Sequence, residues 1–249
     1  MSAAPTRLAS ALSILGREAL RIVLPSGCVV CRGELPWRDR VASCCAGCWA
    51  ALPRIKGPKC ASCAQPLPVA SGVETLCLDC HDDRLPLDWC EAWGEYRGGL
   101  ESLLHAMKFE RHDFLDDSLS SLLEEAVQER GDLAFDAIVA VPMSRARERR
   151  RGYNQAYLLA RALGARVGLR CDMNLLTRRG ERATQSTLPK RERAANVRGA
   201  FVASPDARGK SILIVDDIST TGETLRACGN ALRAAEADRV CAVVVAKAV

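Results

Sequence analysis

Two adjacent acidic residues make one short segment of this sequence suited to binding a polar ligand. Asp216 and Asp217 follow the apolar run Ile212 to Val215. Two neighbouring carboxylates cannot be buried unpaired in a core, so we expect the strand to stop there and the carboxylates to face solvent or a ligand. Carboxylates in that position can accept hydrogen bonds from vicinal ribose hydroxyls and lie near a magnesium ion.

The residues after this acidic pair have the composition of an anion-binding loop. Ser219, Thr220, Thr221 and Gly222 lead into a predicted helix, whose first turn presents unpaired N–H groups and the positive end of the helix dipole. Loop amides and hydroxyls would hold a phosphate beside the ribose contacts. A helix cap with an exposed turn is the alternative interpretation of such a segment.

The cysteines form a second group with chemical potential. Of thirteen cysteines, eight form C-x-x-C pairs that repeat at an offset of 32 residues. Four thiolates satisfy the tetrahedral preference of Zn²⁺ at about 2.3 Å each and leave no open position, which indicates structural zinc. The expected ligands are Cys28, Cys31, Cys45 and Cys48, then Cys60, Cys63, Cys77 and Cys80.

Two questions about these cysteines stay open at the sequence level. The C-x-x-C pairs could serve redox chemistry, but that motif normally opens a helix inside a βαβ unit, and none is predicted here. The two modules could also exchange ligand pairs with each other. We expect the remaining cysteines to be packing or surface residues: Cys44, Cys90, Cys171, Cys228 and Cys241.

Charge is distributed unevenly along the chain. Residues 142–201 contain fifteen Lys and Arg against four Asp and Glu, a net charge of +11, which leaves −6 elsewhere in a chain whose total is +5. The middle of the chain should therefore attract anions. No apolar run approaches the roughly 20 residues that span a bilayer, and no secretory signal is visible. We expect a cytoplasmic protein without membrane insertion, in a reducing compartment that suits metal-bound thiols.

The elements that position these residues follow from hydrophobic periodicity. An amphipathic helix is predicted over residues 1–24 and the cysteine modules over 25–85. Residues 86–249 alternate strands with helices, which predicts a mostly parallel sheet with ligands at the carboxyl ends of its strands. The predicted strands are 89–96, 137–141, 211–215 and 240–246, and the predicted helices are 98–108, 114–130, 153–167 and 221–235.

The segment from Ile214 to Leu225, IVDDISTTGETL, resembles the signature of type I phosphoribosyltransferases. That resemblance implies binding of 5-phosphoribosyl 1-pyrophosphate with magnesium. It assigns the ribose to Asp216 and Asp217, and the 5-phosphate to the loop residues Ser219, Thr220, Thr221, Gly222, Glu223 and Thr224. The implied fold is a type I phosphoribosyltransferase-like α/β domain, a parallel sheet flanked by helices and preceded by a small double zinc-ribbon domain.

Further motifs resemble the ComF family over about residues 20–249. They are Lys108-Phe109, Val141-Pro142, Arg151 to Ala156 (RGYNQA) and the stretch 178–201, which would be a mobile cover loop. A pyrophosphate beside the ribose would need several fixed cations, although a solvated charge run is the usual explanation of such arginines. The candidates are Arg145, Arg147, Arg151, Arg178, Arg179 and Arg191. The first three lie in the arginine-rich segment after the strand 137–141, which we expect to be a loop at the carboxyl end of that strand.

The ComF resemblance implies a bacterial protein linked to DNA uptake in natural transformation. Two functions follow as hypotheses: a phosphoribosyltransferase whose acceptor is undefined, with residues 90–130 as its hood, or a non-enzymatic competence factor that binds single-stranded DNA. Other competence proteins are possible partners. The chain lacks the aromatic stacking platforms that usually bind single strands, which favours the first hypothesis.

Overall fold

A computed structural model describes residues 27–36, 43–68, 76–109, 115–131, 134–179 and 199–249. Contacts divide the chain into two compact units, residues 1–52 and 53–249. The helix predicted over residues 1–24 lies outside the described residues. No helix within the described ranges is long and apolar enough to cross a membrane.

Unit 1–52 contains the first cysteine module. Its one regular element in the described residues is helix α1 (Ala46–Ala50), whose N-cap is Cys45. The backbone amide of Cys48 hydrogen-bonds to the sulfur of Cys45. The knuckle after Cys28 closes through an amide hydrogen bond from Cys28 to the carbonyl of Gly33 at 2.7 Å.

Unit 53–249 is built on a four-stranded parallel sheet. The strands lie in the order β1 (Trp89–Glu95), β6 (Arg239–Lys247), β5 (Ser211–Ser219) and β2 (Ala137–Ala140). Apart from their end residues and the pair Asp216-Asp217, the two central strands are apolar and almost fully buried, as the continuous apolar runs predict for strands covered on both faces. The predicted sheet is confirmed.

Helices cover the sheet in the order in which the sequence predicts them. After α2 (Leu78–Asp82) in the second cysteine module come α3 (Gly98–Phe109), α4 (Leu115–Glu129), α5 (Arg145–Arg151), α6 (Gln155–Val167) and α7 (Glu223–Ala234). Helix α4 packs on α6, β1 and β6, α6 packs on β2 and β5, and α7 packs on β4, β5 and β6. The hairpin of β3 (Leu176–Arg178) and β4 (Phe201–Ala203) flanks the stretch 180–198, which lies outside the described residues.

Two local expectations were wrong, and one element was missed. Strand β5 does not stop before Asp216 but continues to Ser219, because β6 pairs with it up to Lys247. The arginine-rich segment after β2 is not a loop but helix α5, with Ser144 as N-cap and Gly152 in a left-handed conformation as C-cap. The β3–β4 hairpin was not predicted. The five extra cysteines are buried or half-buried packing residues, as expected.

Candidate functional site

The acidic pair lies near the carboxyl end of β5, next to the loop that leads into α7. Asp216 is in register with Val244 of β6. After Ser219 the chain turns through Gly222, whose φ of +81° favours glycine, and α7 begins at Glu223. The loop thus delivers the N-terminal turn of a twelve-residue helix close to two carboxylates. This is the strand–loop–helix context that the sequence predicted for an anion-binding loop.

The two carboxylates have different surroundings. Asp217 forms an ion pair with Lys108, the penultimate residue of α3, at 2.8 Å, and both side chains are largely buried. The amide of Asp217 donates to Oδ1 of Asp216 at 2.9 Å. Burial, followed by the charge of Asp217, raises the pKa of Asp216 well above its ordinary value. The site therefore holds a carboxyl group whose charge is not fully compensated by the protein.

The second wall of the site follows β2. Asn154 donates to the carbonyl of Val141 at 3.1 Å and accepts from the amide of Ala156, so it joins the end of β2 to the start of α6. Arg151 donates to Gln155 at 2.9 Å, and its guanidinium lies 5.2 Å from the centre of the Phe109 ring. The hydroxyl of Tyr153 donates to the carbonyl of Met107 in α3. These contacts fix the RGYNQA segment beside the acidic pair.

The two walls enclose a cleft of about 190 Å³. The cleft is lined by Lys108, Val141, Pro142, Met143, Arg147, Arg151, Asn154, Gln155, Ala156, Arg178, Asp216, Asp217 and Thr224. A larger cavity, of about 470 Å³, lies against β4 and α7, and neither aspartate is among its lining residues. We take the smaller cleft as the candidate site because it gathers the charged residues of both motifs.

Three predicted arginines meet at this cleft. Arg147, Arg151 and Arg178 line it. Burial lowers the pKa of Arg151 and of Arg178, and the charge of Arg147 lowers both further. Guanidinium groups remain charged at neutral pH despite such shifts, so the cleft concentrates positive charge that an anion would neutralise.

The other predicted arginines lie elsewhere. Arg145 is exposed on α5 and borders a shallow cavity with Arg149. Arg179 lines the larger cavity against β4 and α7. Arg191 lies outside the described residues. A pyrophosphate role for these three residues stays a prediction.

The predicted phosphate loop is partly exposed. Thr220 and Thr221 are exposed, Gly222 is buried, and Thr224 faces the cleft. Glu223 lies 3.5 Å from the guanidinium of Arg226. Ser219 is only 4% exposed.

Several buried polar atoms at the site lack a hydrogen-bond partner within the part of the chain that the structure describes. They are the hydroxyl of Ser219, Nε of Arg151 and Nε2 of Gln155. An unpartnered buried polar atom costs about 1–3 kcal/mol, so its retention calls for an explanation. Arg151 and Gln155 line the cleft, and Ser219 ends β5 where the phosphate loop begins, so a polar ligand that spans the cleft and the loop would explain these atoms.

Each cysteine module forms its own four-sulfur cluster. Cys28, Cys31, Cys45 and Cys48 form one, and Cys60, Cys63, Cys77 and Cys80 form the other, with the sulfurs of each cluster within 4.8 Å of one another. The distances Cys31 Sγ to Cys45 Sγ of 3.9 Å and Cys63 Sγ to Cys77 Sγ of 3.6 Å bracket the separation of about 3.8 Å that tetrahedral Zn–S bonds impose. The donor sets fit structural zinc, and the modules do not exchange ligands.

The first cysteine of each module has a lowered pKa, which favours its thiolate form. Burial alone would raise the pKa of Cys28, but hydrogen bonds from the backbone amides of Cys31, Cys45 and Val30 outweigh it and lower the pKa to about 6. Burial at Cys60 is likewise outweighed by backbone amides, which lower its pKa to about 7. Cys44 belongs to neither four-sulfur cluster, and burial raises its pKa to about 12.

Sequence reasoning gave no role to two lysines that the structure places at this site. Lys108 was noticed only as part of a motif, and it pairs with Asp217. Lys247, which no motif includes, donates to the carbonyl of Thr220 in the phosphate loop. Lys247 ends an apolar strand as its one charged residue after Arg239, and that break in the pattern was the available signal.

Comparisons with known proteins bear on the same two parts of the chain. A family model described as a phosphoribosyl transferase domain matches residues 119–248. A model of a double zinc ribbon domain matches residues 19–81.

Curated relatives resemble most of the chain. DNA utilization protein YhgH of Escherichia coli strain K12 is 31% identical over 208 residues, covering 82% of this chain and 89% of that protein. Competence protein F of Haemophilus influenzae is 30% identical over 213 residues, covering 83% and 90%. Competence protein ComFC of Streptococcus pneumoniae is 31% identical over 189 residues, covering 73% and 77%.

Proposed function

This chain belongs to the ComF family, in which a double zinc ribbon precedes a phosphoribosyltransferase domain, and on that premise we propose that its cleft binds 5-phosphoribosyl 1-pyrophosphate with Mg²⁺. The observation that carries the proposal is the set of unpartnered buried atoms on Ser219, Arg151 and Gln155. Arg151 and Gln155 line the described cleft that contains two carboxylates and three arginines, and Ser219 ends the strand that carries both carboxylates. A ligand with a phosphate at each end and hydroxyls between would satisfy all of these groups.

Each part of the cleft suits one part of this ligand. The loop amides, the Ser219 hydroxyl and the start of α7 would hold the 5-phosphate. Asp216 and Asp217 would accept hydrogen bonds from the ribose hydroxyls. Arg147, Arg151 and Arg178 would bind the pyrophosphate, since guanidinium groups contact phosphates in a bidentate manner.

The carboxylates also fit a magnesium ion, because hard oxygen donors beside substrate phosphates are its usual ligands. When bound, Mg²⁺ would supply charge neutralisation on the pyrophosphate. Lys108 has a different task, since its ion pair holds Asp217 in the cleft before any ligand arrives.

We further propose that bound ligand reacts by displacement of pyrophosphate at C1 by an acceptor. The bond from C1 to the pyrophosphate oxygen breaks with its electron pair on that oxygen, and the new bond forms to the acceptor. Positioned arginines stabilise the charge that develops on the leaving group, so no strong base is required at the site.

Calorimetry with 5-phosphoribosyl 1-pyrophosphate and Mg²⁺ tests binding. We expect Asp216→Ala with Asp217→Ala to abolish binding while inorganic phosphate still binds at the loop. The matched control replaces two exposed aspartates outside the cleft, Asp206→Ala with Asp238→Ala, and should bind as the parent does. If the cleft variant binds as tightly as the parent, the site assignment is wrong. Pyrophosphate release with a panel of nitrogenous bases then tests turnover.

A second candidate function is binding of single-stranded DNA. Helix α5 exposes Arg145, Arg147, Arg149 and Arg150 on one seven-residue element with a single acidic residue, Glu148. Such a helix can contact the phosphate backbone without reading sequence. The names of the relatives, DNA utilization and competence proteins, point in the same direction.

A further inference from the structure

Lys247 is a buried lysine at the end of β6. Only 3% of the residue is exposed. In register it lies between Glu95 of β1 and Ser219 of β5, at the carboxyl edge of the sheet. Its ammonium group donates a hydrogen bond to the carbonyl of Thr220, the residue that opens the phosphate loop. A buried ammonium is costly unless it is both hydrogen-bonded and near a negative charge.

The second cysteine cluster can supply that negative charge, because Leu85 packs both on the cluster and on Gly222, two residues from the Thr220 carbonyl that Lys247 holds. Burial raises the pKa of the Cys90 thiol to about 12; the charge of Lys247 opposes this rise, and Cys60 and Cys80 add to it. Lys247 and the second cluster therefore act on the same buried region. Four thiolates around one Zn²⁺ are doubly negative, which would compensate the ammonium.

Packing joins the same cluster to the loop independently of charge. Leu85 packs with Cys60, Cys63 and Cys80 in one apolar cluster. The amide of Leu85 donates to the Ser62 hydroxyl at 2.9 Å, which fixes it beside the cysteine knuckle. A Cβ placed on Gly222 would lie 3.3 Å from Cδ1 of Leu85. The turn of the phosphate loop thus rests on a side chain that belongs to the cluster.

Helix α7 is attached to the segment that follows the second module. Arg226, in the first turn of α7, donates to the carboxylate of Asp83 and to the carbonyl of Arg84, both at 2.9 Å, and to the carbonyl of Asp83 at 3.0 Å. One turn later a Cβ on Gly229 would lie 3.0 Å from the carbonyl of Pro86. The helix whose N-terminus faces the phosphate is therefore held by residues 83–86.

We propose that the second cysteine cluster, with zinc bound, supports the phosphate loop. Lys247 is the positioning residue that couples metal binding in this cluster to ligand binding in the cleft. This inference rests on the proposed function and adds to it a coupling between the metal cluster and the ligand site. The thiolates of Cys60, Cys63, Cys77 and Cys80, which would hold Zn²⁺, would compensate the Lys247 ammonium. The ammonium holds the Thr220 carbonyl, and the loop amides are thereby aimed at the 5-phosphate.

Coupling of this kind is reciprocal, so the parent protein provides the first test. If metal in the cluster favours the ligand, the ligand must favour the metal by the same factor. For each zinc site, the measured quantity is the chelator concentration at which half of the protein has lost that ion. We expect saturating 5-phosphoribosyl 1-pyrophosphate to raise this concentration about fivefold or more for one site and to leave it unchanged for the other. Alkylation of released thiols, read by mass spectrometry, should show that the protected set is Cys60, Cys63, Cys77 and Cys80.

A variant pair then assigns the coupling to the lysine. Lys247→Met removes the charge and the donor but keeps the length of the side chain, and Lys56→Met makes the same change at an exposed position. We expect Lys247→Met to bind the ligand at least tenfold more weakly and to lose the protection of zinc even at saturating ligand. A residue that served stability alone would lower the affinity and keep the protection. Lys56→Met should match the parent in both.

The outcomes separate this inference from the proposed function. If the parent binds the ligand and neither zinc ion is protected, the coupling is refuted and the binding function stands. If the parent binds no ligand, both fall. Should Lys247→Met fail to fold, the chelator experiment on the parent decides whether the coupling exists. In that case we also expect faster hydrogen exchange at residues 220–223 of the parent after the second zinc ion is removed.

Discussion

At the scale of single residues, the site contains a carboxyl group that the fold does not stabilise. Asp217 has Lys108 at 2.8 Å, whereas burial and the charge of Asp217 raise the pKa of Asp216 well above its ordinary value of 3.8. A functional site commonly retains such a group because a ligand or ion compensates it. Stability and binding should therefore respond in opposite directions when Asp216 is changed.

Asp216→Asn tests this opposition through pH. A carboxyl group whose pKa is raised by folding costs no stability below its unfolded pKa, and the cost grows as pH rises from there to the folded pKa. The variant should melt at a higher temperature than the parent at neutral pH, and the difference should disappear below about pH 4. Thermal melts at several pH values measure it. A variant that is less stable at neutral pH would contradict the assigned environment.

Thr221→Ala removes one hydroxyl from the phosphate loop and leaves its backbone amides and the helix end in place. We expect the affinity for 5-phosphoribosyl 1-pyrophosphate to fall by about 1–2 kcal/mol, the scale of one charge-assisted hydrogen bond. Calorimetry measures it against Thr177→Ala, an exposed threonine of the β3–β4 hairpin. Loss of all binding would mean that the loop conformation depends on this hydroxyl, and an unchanged affinity that Thr221 does not touch the phosphate.

At the scale of elements, local patterns predicted the central strands and long helices because their apolar periodicity is strong. They failed at β5 because the partner that makes Asp217 tolerable in a strand is Lys108, more than one hundred residues earlier, and no local rule reveals it. They missed α5 because its charged side chains have no apolar face, although its two cap residues, Ser144 and Gly152, were readable.

Some residues of the site could likewise be predicted from local patterns, and others could not. The acidic pair and the loop could be found because each is a compact motif at a strand end. The sequence could propose the arginines but could not tell which of them line the cleft. The hairpin that brings Arg178 to the cleft and turns Arg179 away consists of three-residue strands, which are too short for a periodic signal. Lys247 lies in no motif, and only its burial and its contact with Thr220 identify it.

The exposed arginines of helix α5 allow a test of single-stranded DNA binding. If it binds single-stranded DNA, the slope of log affinity against log salt should lose about 0.7 for each phosphate contact removed by Arg149→Ala with Arg150→Ala. The control, Arg170→Ala with Arg208→Ala, removes the same charge from exposed positions outside α5 and should keep the slope. Absence of binding by the parent at physiological salt would refute the DNA-binding hypothesis. Competition by 5-phosphoribosyl 1-pyrophosphate would place both ligands in one site.

At the scale of the whole molecule, the repeated module serves two compact units. The first cluster lies in unit 1–52, and the second lies in unit 53–249 together with the sheet and the cleft. Structural zinc contributes about 10–16 kcal/mol in small modules, which is as large as the total stability of an ordinary domain. Loss of one module should therefore have different consequences from loss of the other, although the two share the same cysteine spacing.

Cys28→Ser and Cys60→Ser measure that difference. The parent should contain close to two zinc ions per chain by metal analysis, and each variant should lose one; less than one ion in the parent would refute the two-site assignment. Cys28→Ser should become protease-labile within residues 1–52 and keep its affinity for 5-phosphoribosyl 1-pyrophosphate, because the described contacts of the phosphate loop all lie in unit 53–249.

Cys60→Ser should be the more damaging change. It opens the cluster on which Leu85 packs, so the support of Gly222 and the countercharge of Lys247 are lost together. Limited proteolysis should then cut within unit 53–249, and ligand binding should disappear in whatever fraction remains soluble. If Cys28→Ser abolished binding while Cys60→Ser preserved it, the cluster that supports the phosphate loop would have been assigned to the wrong module.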